Sequence, residues 1–91
     1  MKLIKLHLLH YDCGEFFSKK ETIVINPTQI SQIKKDPKKN DVISSSSKTN
    51  LLKLHPFNKN PEALSPCIIK MIDGDLIQVA ESMDYIMSLI N

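Results

Sequence analysis

Residues 66–91, PCIIKMIDGDLIQVAESMDYIMSLIN, decide the fold of this chain. Two apolar runs with alternating side chains flank Asp73-Gly74, and each run predicts a β-strand. An Asp-Gly pair between such runs is a strong hairpin signal, because a type I′ turn requires a positive φ at both central residues. The stretch therefore predicts two antiparallel strands that are joined at Asp73 and Gly74.

A short amphipathic helix is predicted directly after the hairpin. Ser82 has the residue type that an N-cap favours, and Glu81 and Asp84 lie near the positive end of the helix dipole. The apolar residues that follow have the spacing i, i+3, i+4 and i+7 of one helix face, and they are Met83, Ile86, Met87 and Ile90. We expect this face to pack on the sheet, with Met83 and Met87 available in part for contact with a partner.

The N-terminal third predicts further strands. Residues 2–11 alternate as a strand does, and Asp12-Cys13-Gly14 is a turn signal in which Gly14 suits a positive φ. A second strand is expected to begin at Phe16, and residues 22–25 predict a third that ends at Asn26-Pro27. We expect a turn after this point and then a strand within residues 29–34. Together the pieces predict an α+β fold with a small antiparallel sheet of about five strands and a short C-terminal helix.

Residues 35–65 differ from the rest of the chain. Asp-Pro, Lys-Lys-Asn and a run of four serines at 44–47 are typical of turns and linkers. We interpret the chain as one domain, residues 1–91, with residues 35–65 as a mobile or inserted loop. The loop contains one apolar segment, which we predict to dock on a partner through Leu51, Leu52, Leu54 and Phe57.

Charge is distributed unevenly along the chain. The net charge is +2, but residues 34–65 hold seven lysines against three acidic residues. This segment could bind nucleic-acid phosphates without sequence preference, which is the alternative function that the sequence leaves open. The chain has no arginine, and Phe57 is the only aromatic residue of the segment, so nucleic acid is not the favoured partner.

Two catalytic or metal-binding arrangements were weighed. His7, His10 and Cys13 could bind zinc if His55 or Cys67 completed the set, but their spacing matches no zinc motif. A nucleophilic Cys67 would need His7 or His55 as a base, whereas its place in the alternating strand predicts a small core residue. The sequence therefore predicts no enzymatic activity, no metal and no cofactor.

The pattern of elements is similar to a known family. IKMIDGDLIQVAESMDYIMSLI at residues 69–90 resembles the C-terminal half of the short bacterial flagellar FlbD/SwrD-like proteins, and INPTQISQI at 25–33 is similar to a segment of their N-terminal half. The resemblance covers about two-thirds of the chain and implies a small β-rich cytoplasmic domain without a catalytic centre, linked to motility. This chain departs from the family by some thirty residues inserted between Ile33 and Pro66.

Size and composition complete the prediction. A domain in which about 60 residues build the core buries only roughly 60% of its unfolded surface, so a partner or self-association is expected. No stretch approaches the roughly 20 apolar residues that cross a bilayer, and two cysteines, Cys13 and Cys67, do not form a disulfide framework. We expect a cytoplasmic, non-enzymatic protein-interaction or accessory domain that binds another protein or forms a homo-oligomer.

Overall fold

The computed structural model of the protein describes residues 3–35 and 42–90. In these residues the chain forms six strands, two α-helices and two 3₁₀ turns. The strands are β1 (Ile4–Asp12), β2 (Glu15–Ile25), β3 (Ile30–Lys35), β4 (Val42–Ile43), β5 (Leu64–Met71) and β6 (Leu76–Glu81). The helices are α1 (Ser45–Leu52) and α2 (Met83–Ile90), and the 3₁₀ turns are Pro27–Gln29 and Pro61–Ala63.

The strands form one sheet in the order β3-β5-β6-β1-β2-β4. Five strands are antiparallel to their neighbours, while the two-residue β4 runs parallel to β2 at one edge. The predicted fold class, a small antiparallel sheet of about five strands with a C-terminal helix, is confirmed. The N-terminal strand β1 lies inside the sheet because it pairs with both β2 and β6.

The β1–β2 hairpin has a two-residue loop of the kind that was predicted at Asp73-Gly74 in the β5–β6 hairpin. Asp12 pairs with Glu15, and the intervening Cys13 and Gly14 have φ values of 51° and 85°. Positive φ at both positions is the type I′ geometry, whose twist matches that of the flanking strands. The predicted turn with Gly14 at positive φ is therefore present.

The β5–β6 hairpin forms around Asp73-Gly74, but its turn is not type I′. Gly74 has a φ of 98°, whereas Asp73 is not among the described residues with positive φ. The Gly74 N–H donates to the Met71 carbonyl at 3.0 Å, and the Met71 N–H donates to the Asp75 carbonyl at 2.8 Å. This is the pattern of a three-residue loop in which a turn is followed by glycine in a bulge. The Asp73 carboxylate accepts the Asp75 N–H at 3.0 Å, which stabilises the turn locally.

The two strands predicted at Phe16 and at residues 22–25 are one strand, β2, interrupted by a bulge. Ser18 pairs with Leu9 and Thr22 pairs with His7, so three residues of β2 lie opposite one residue of β1. Lys20, inside this bulge, has a φ of 58°. The prediction of two strands was wrong because the interruption lies within one strand and the chain does not reverse there.

The turn and strand predicted after Asn26-Pro27 are present. The Asn26 side chain accepts the Thr28 N–H at 3.0 Å, as the N-cap of the 3₁₀ turn Pro27–Gln29, and β3 follows. β3 pairs with β5 through a register shift between Ile30 and Gln32.

The serine run at 44–47 was predicted to be turn or linker, but it forms the N-cap and first turn of α1. Ser44 is the N-cap of α1, because its hydroxyl accepts the Ser47 N–H at 3.3 Å. The Ser47 hydroxyl in turn accepts the Ser18 N–H of β2 at 2.9 Å, and the Ser44 N–H donates to the Phe16 carbonyl at 2.8 Å. These bonds attach the start of α1 to β2. Residues 36–41 of the predicted loop lie outside the described residues, and its mobility stays a prediction.

Two clusters of buried side chains form the core. The first contains residues from the sheet and from α2: Ile4, Leu6, Ile25, Cys67, Ile69, Val79 and Ile86. The second combines strand residues with residues of the 42–65 segment: Leu9, Phe16, Ile43, Leu51, Phe57, Ala63 and Ala80. The neighbours Val79 and Ala80 belong to different clusters because successive residues of a strand point to opposite faces. The segment 42–65, which we call the insert cover, therefore supplies part of the core.

Candidate functional site: a buried Glu–His pair, a polar cleft and an apolar groove

The end of β6 and the start of α2 position the main polar side chains of the core. Ser82 is the N-cap of α2, since its hydroxyl accepts the Tyr85 N–H at 3.1 Å and its carbonyl accepts the Ile86 N–H at 3.0 Å. Ile86 is fully buried, whereas Met87 is 43% exposed. Two methionines of the predicted helix face differ in exposure: Met83 is half-buried, and Met87 extends into solvent.

Glu81, the last residue of β6, is fully buried and contacts His7 of β1. The His7 N–H donates to both carboxylate oxygens, at 2.9 and 3.1 Å, and His7 Nδ1 lies 2.7 Å from Oε2. Glu81 lies directly before the Ser82 N-cap of α2, near the positive end of the helix dipole as predicted, but its burial against His7 was not predicted. No local pattern signals this contact, because it joins residues 74 positions apart in the chain.

Burial is the largest influence on the pKa of Glu81. Removal from water raises the pKa of the Glu81 carboxyl above its usual value, and the hydrogen bonds from His7 counteract part of that rise. A buried carboxylate is costly unless it is paired and hydrogen-bonded. His7 supplies the hydrogen bonds, and its ring also contacts the Phe57 ring of the insert cover at a centroid distance of 5.4 Å.

Cys67 and Tyr85 are the other titratable groups that interact with Glu81. The Cys67 thiol donates to the Glu81 carbonyl at 3.3 Å, and burial together with the Glu81 charge raises its pKa to about 12. Burial and the same charge also raise the pKa of Tyr85. Cys67 is a core residue, as its strand position predicted, and a thiol that stays protonated at neutral pH is a poor nucleophile.

The residues considered for zinc binding are not brought together. His7 is paired with Glu81, and Cys67 is buried in the first cluster, whereas His10, Cys13 and His55 are exposed. Over residues 3–35 and 42–90, no three His, Cys, Asp or Glu side chains are arranged to hold a metal ion.

A polar cleft of about 400 Å³ lies between the start of α2, β5 and the second 3₁₀ turn. Its polar lining includes Lys35, Glu62, Ser82 and Asp84. The Ser82 hydroxyl is already used to cap α2, and the one thiol that lines the cleft, Cys67, is held protonated. The Ser82 hydroxyl and the Cys67 thiol of the cleft are therefore both engaged in structural contacts.

The predicted docking segment is divided between core and surface. Leu51 and Phe57 are buried in the second cluster, Leu52 packs partly against it, and Leu54 is 43% exposed. Leu51 and Phe57 thus cannot contact a partner in this conformation, which corrects that part of the prediction. The burial has a simple cause, since the opposing strand residues Leu9 and Phe16 provide an apolar surface within the same chain.

The lysines of the middle segment have no aromatic platform beside them. Lys34, Lys35, Lys48, Lys53 and Lys59 are exposed, and Lys38 and Lys39 lie outside the described residues. Phe57, the one aromatic residue of the segment, is fully buried and so is not available for base stacking.

An apolar groove of about 370 Å³ opens beside the β2 bulge. Its lining is mostly aliphatic, with one cation and one amide: Leu8, Leu9, Lys19, Ile23, Ile68, Leu76, Ile77 and Gln78. Leu76 in this lining is 67% exposed, whereas the other aliphatic lining residues are half-buried or buried. An aliphatic groove with an exposed leucine is typical of an interaction surface.

The fold and these features define a small α+β domain, and comparison with known proteins adds no relative. No family model, curated protein or solved structure matches the chain at a significant level. Within the described part of the chain, no helix is long and apolar enough to span a bilayer.

Proposed function

We propose that this chain is a small non-enzymatic protein-interaction domain of the cytoplasm, and that its contact surface is the apolar groove. The observation that carries the proposal is the exposure of Leu76, which is 67% exposed within the aliphatic lining of the groove. Covering such a surface gains about 25 cal/mol for each Å² of apolar area removed from water. The partner is another protein or a second copy of this chain.

Two further observations support a non-catalytic role. The buried Glu81 is hydrogen-bonded by His7, and the Cys67 thiol is held protonated. The groove itself is lined by aliphatic side chains, with Lys19 as its one charged group. Such a lining favours apolar contact over general acid–base chemistry. The motility role implied by the resemblance to FlbD/SwrD-like proteins belongs to this proposal as its expected biological setting.

The test compares oligomeric state and partner binding in three proteins: wild type, Leu76→Lys and Leu54→Lys. Leu54 is the matched control because it is an exposed leucine outside the groove lining. We expect light scattering or affinity capture to show a wild-type dimer or complex that persists at high salt, since apolar contacts are little screened. Leu76→Lys should abolish it, and Leu54→Lys should leave it unchanged.

Two outcomes would contradict the proposal. One is a wild-type chain that stays monomeric and retains no protein, and the other is equal binding by wild type and Leu76→Lys. Nucleic acid that binds at low salt and is released steeply as salt rises would instead support the alternative function through the exposed lysines.

A further inference from the structure

The insert cover contacts the rest of the molecule at a titratable site. Phe57 and Leu51 of the cover are fully buried against strand residues of the second cluster. Phe57 also contacts the His7 ring, whose Nδ1 lies 2.7 Å from the buried Glu81 carboxylate. The Glu81–His7 pair therefore lies at the boundary between the cover and the sheet.

The charge of this pair depends on one proton. An ionised Glu81 carboxyl places a negative charge in a fully buried site. One added proton removes this charge. A dry site disfavours the uncompensated charge, so the closed cover favours the protonated pair more strongly than a water-filled, open site does.

The neighbouring titratable groups do not compete for this proton near neutral pH. Cys67 on β5 and Tyr85 on α2 interact electrostatically with Glu81, and both have raised pKa values. Both therefore remain protonated and uncharged across this range. From the insert cover, Phe57 adds an uncharged ring. Glu81 is therefore the group at this site whose raised pKa moves its change of charge toward neutral pH.

We propose that the Glu81–His7 pair is a proton-sensitive latch, in which proton uptake holds the insert cover closed on the sheet and proton loss loosens it. The direction follows from the raised pKa of Glu81. A group with a raised pKa in the closed state stabilises that state fully below its ordinary pKa, and this stabilisation is lost as the pH rises through the raised value. Opening would expose the apolar strand residues Leu9 and Phe16.

The test is amide hydrogen exchange of the insert cover between about pH 5.5 and about pH 8, corrected for the intrinsic exchange rate at each pH. For one linked proton the opening equilibrium changes by at most about tenfold per pH unit. We expect opening in residues 51–63 to rise by about tenfold overall in the wild type. Glu81→Gln, which keeps an acceptor for the His7 N–H but cannot ionise, should lose this rise.

Glu62→Gln is the matched control because it removes an exposed carboxylate from the same segment. It should keep the wild-type pH response. A wild-type cover whose exchange is independent of pH, or a Glu81→Gln protein with the wild-type response, would overturn the proposal.

A second measurement on the wild-type chain tests the proposal if Glu81→Gln does not fold. Carboxyl-carbon NMR of the wild-type chain gives the pH midpoint at which the Glu81–His7 pair titrates. Agreement of this midpoint with that of cover opening supports the latch, and a clear separation between the two midpoints overturns it.

Discussion

At the scale of single residues, the neighbours Glu81 and Ser82 make different contacts because they occupy different positions, one at the end of a strand and one at the start of a helix. Glu81 ends β6 on the inward face and is hydrogen-bonded by His7, while Ser82 faces the first turn of α2 and caps it. Replacing a buried ion pair by apolar residues is often neutral or stabilising, so Glu81 is weak evidence for added stability. Its charge instead makes the interior sensitive to protons.

The two cysteines are predicted to differ sharply in reactivity. Cys13 is exposed in a turn, whereas burial raises the pKa of the Cys67 thiol to about 12. A thiol-specific reagent at neutral pH should modify Cys13 quickly and should reach Cys67 only on unfolding, because the thiolate is the reactive form. Mass spectrometry of the labelled protein, with Cys13→Ser as the control, measures both rates. Rapid modification of Cys67 in the folded Cys13→Ser protein would contradict the buried site.

At the scale of elements, local sequence located the turns better than it specified their geometry. Asp73-Gly74 marks a hairpin, yet its loop has three residues and one positive φ, while the type I′ turn occurs at Cys13-Gly14. The strands on either side decide this, because the pairing of Asp12 with Glu15 leaves two residues for that loop. The β2 bulge at Lys20 lies opposite Leu8, and it too is seen only in the pairing of β1 with β2.

The N-cap of α2 can be tested by a single substitution. Ser82→Ala removes the hydroxyl that accepts the Tyr85 N–H, and loss of a serine cap typically costs about 1 kcal/mol of unfolding free energy. Urea unfolding gives this difference directly. Ser88→Ala is the control, because Ser88 is an exposed serine inside the same helix and should cost less. Equal losses in the two variants would exclude a capping contribution.

At the scale of the whole molecule, the insert cover completes the domain. Without its buried residues, the strand residues Leu9, Phe16 and Ala80 of the second cluster would lose their apolar covering. A domain of this size has little hydrophobic core to spare. The segment that composition assigned to a loop is therefore a structural part of the fold over residues 42–65.

Phe57 tests this conclusion. Phe57→Ala should lower the unfolding free energy by about 3–5 kcal/mol, because it leaves a cavity in the second cluster. Denaturant unfolding measures the loss, and Leu54→Ala is the control because its side chain is 43% exposed. A cost for Phe57→Ala as small as that for Leu54→Ala would show that the insert cover does not stabilise the domain.

The sequence by itself determined the features that depend on neighbouring residues. It located the β5–β6 hairpin, the Cys13-Gly14 turn, the start of α2 at Ser82 and the burial of Cys67, because alternation, capping and turn chemistry act over a few residues. Tertiary structure alone decided the contacts between distant parts of the chain. Glu81 meets His7 across 74 positions, and Phe57 is buried only because folding brings an apolar strand surface to it. Such contacts have no local signal, since they depend on the register and twist of the assembled sheet.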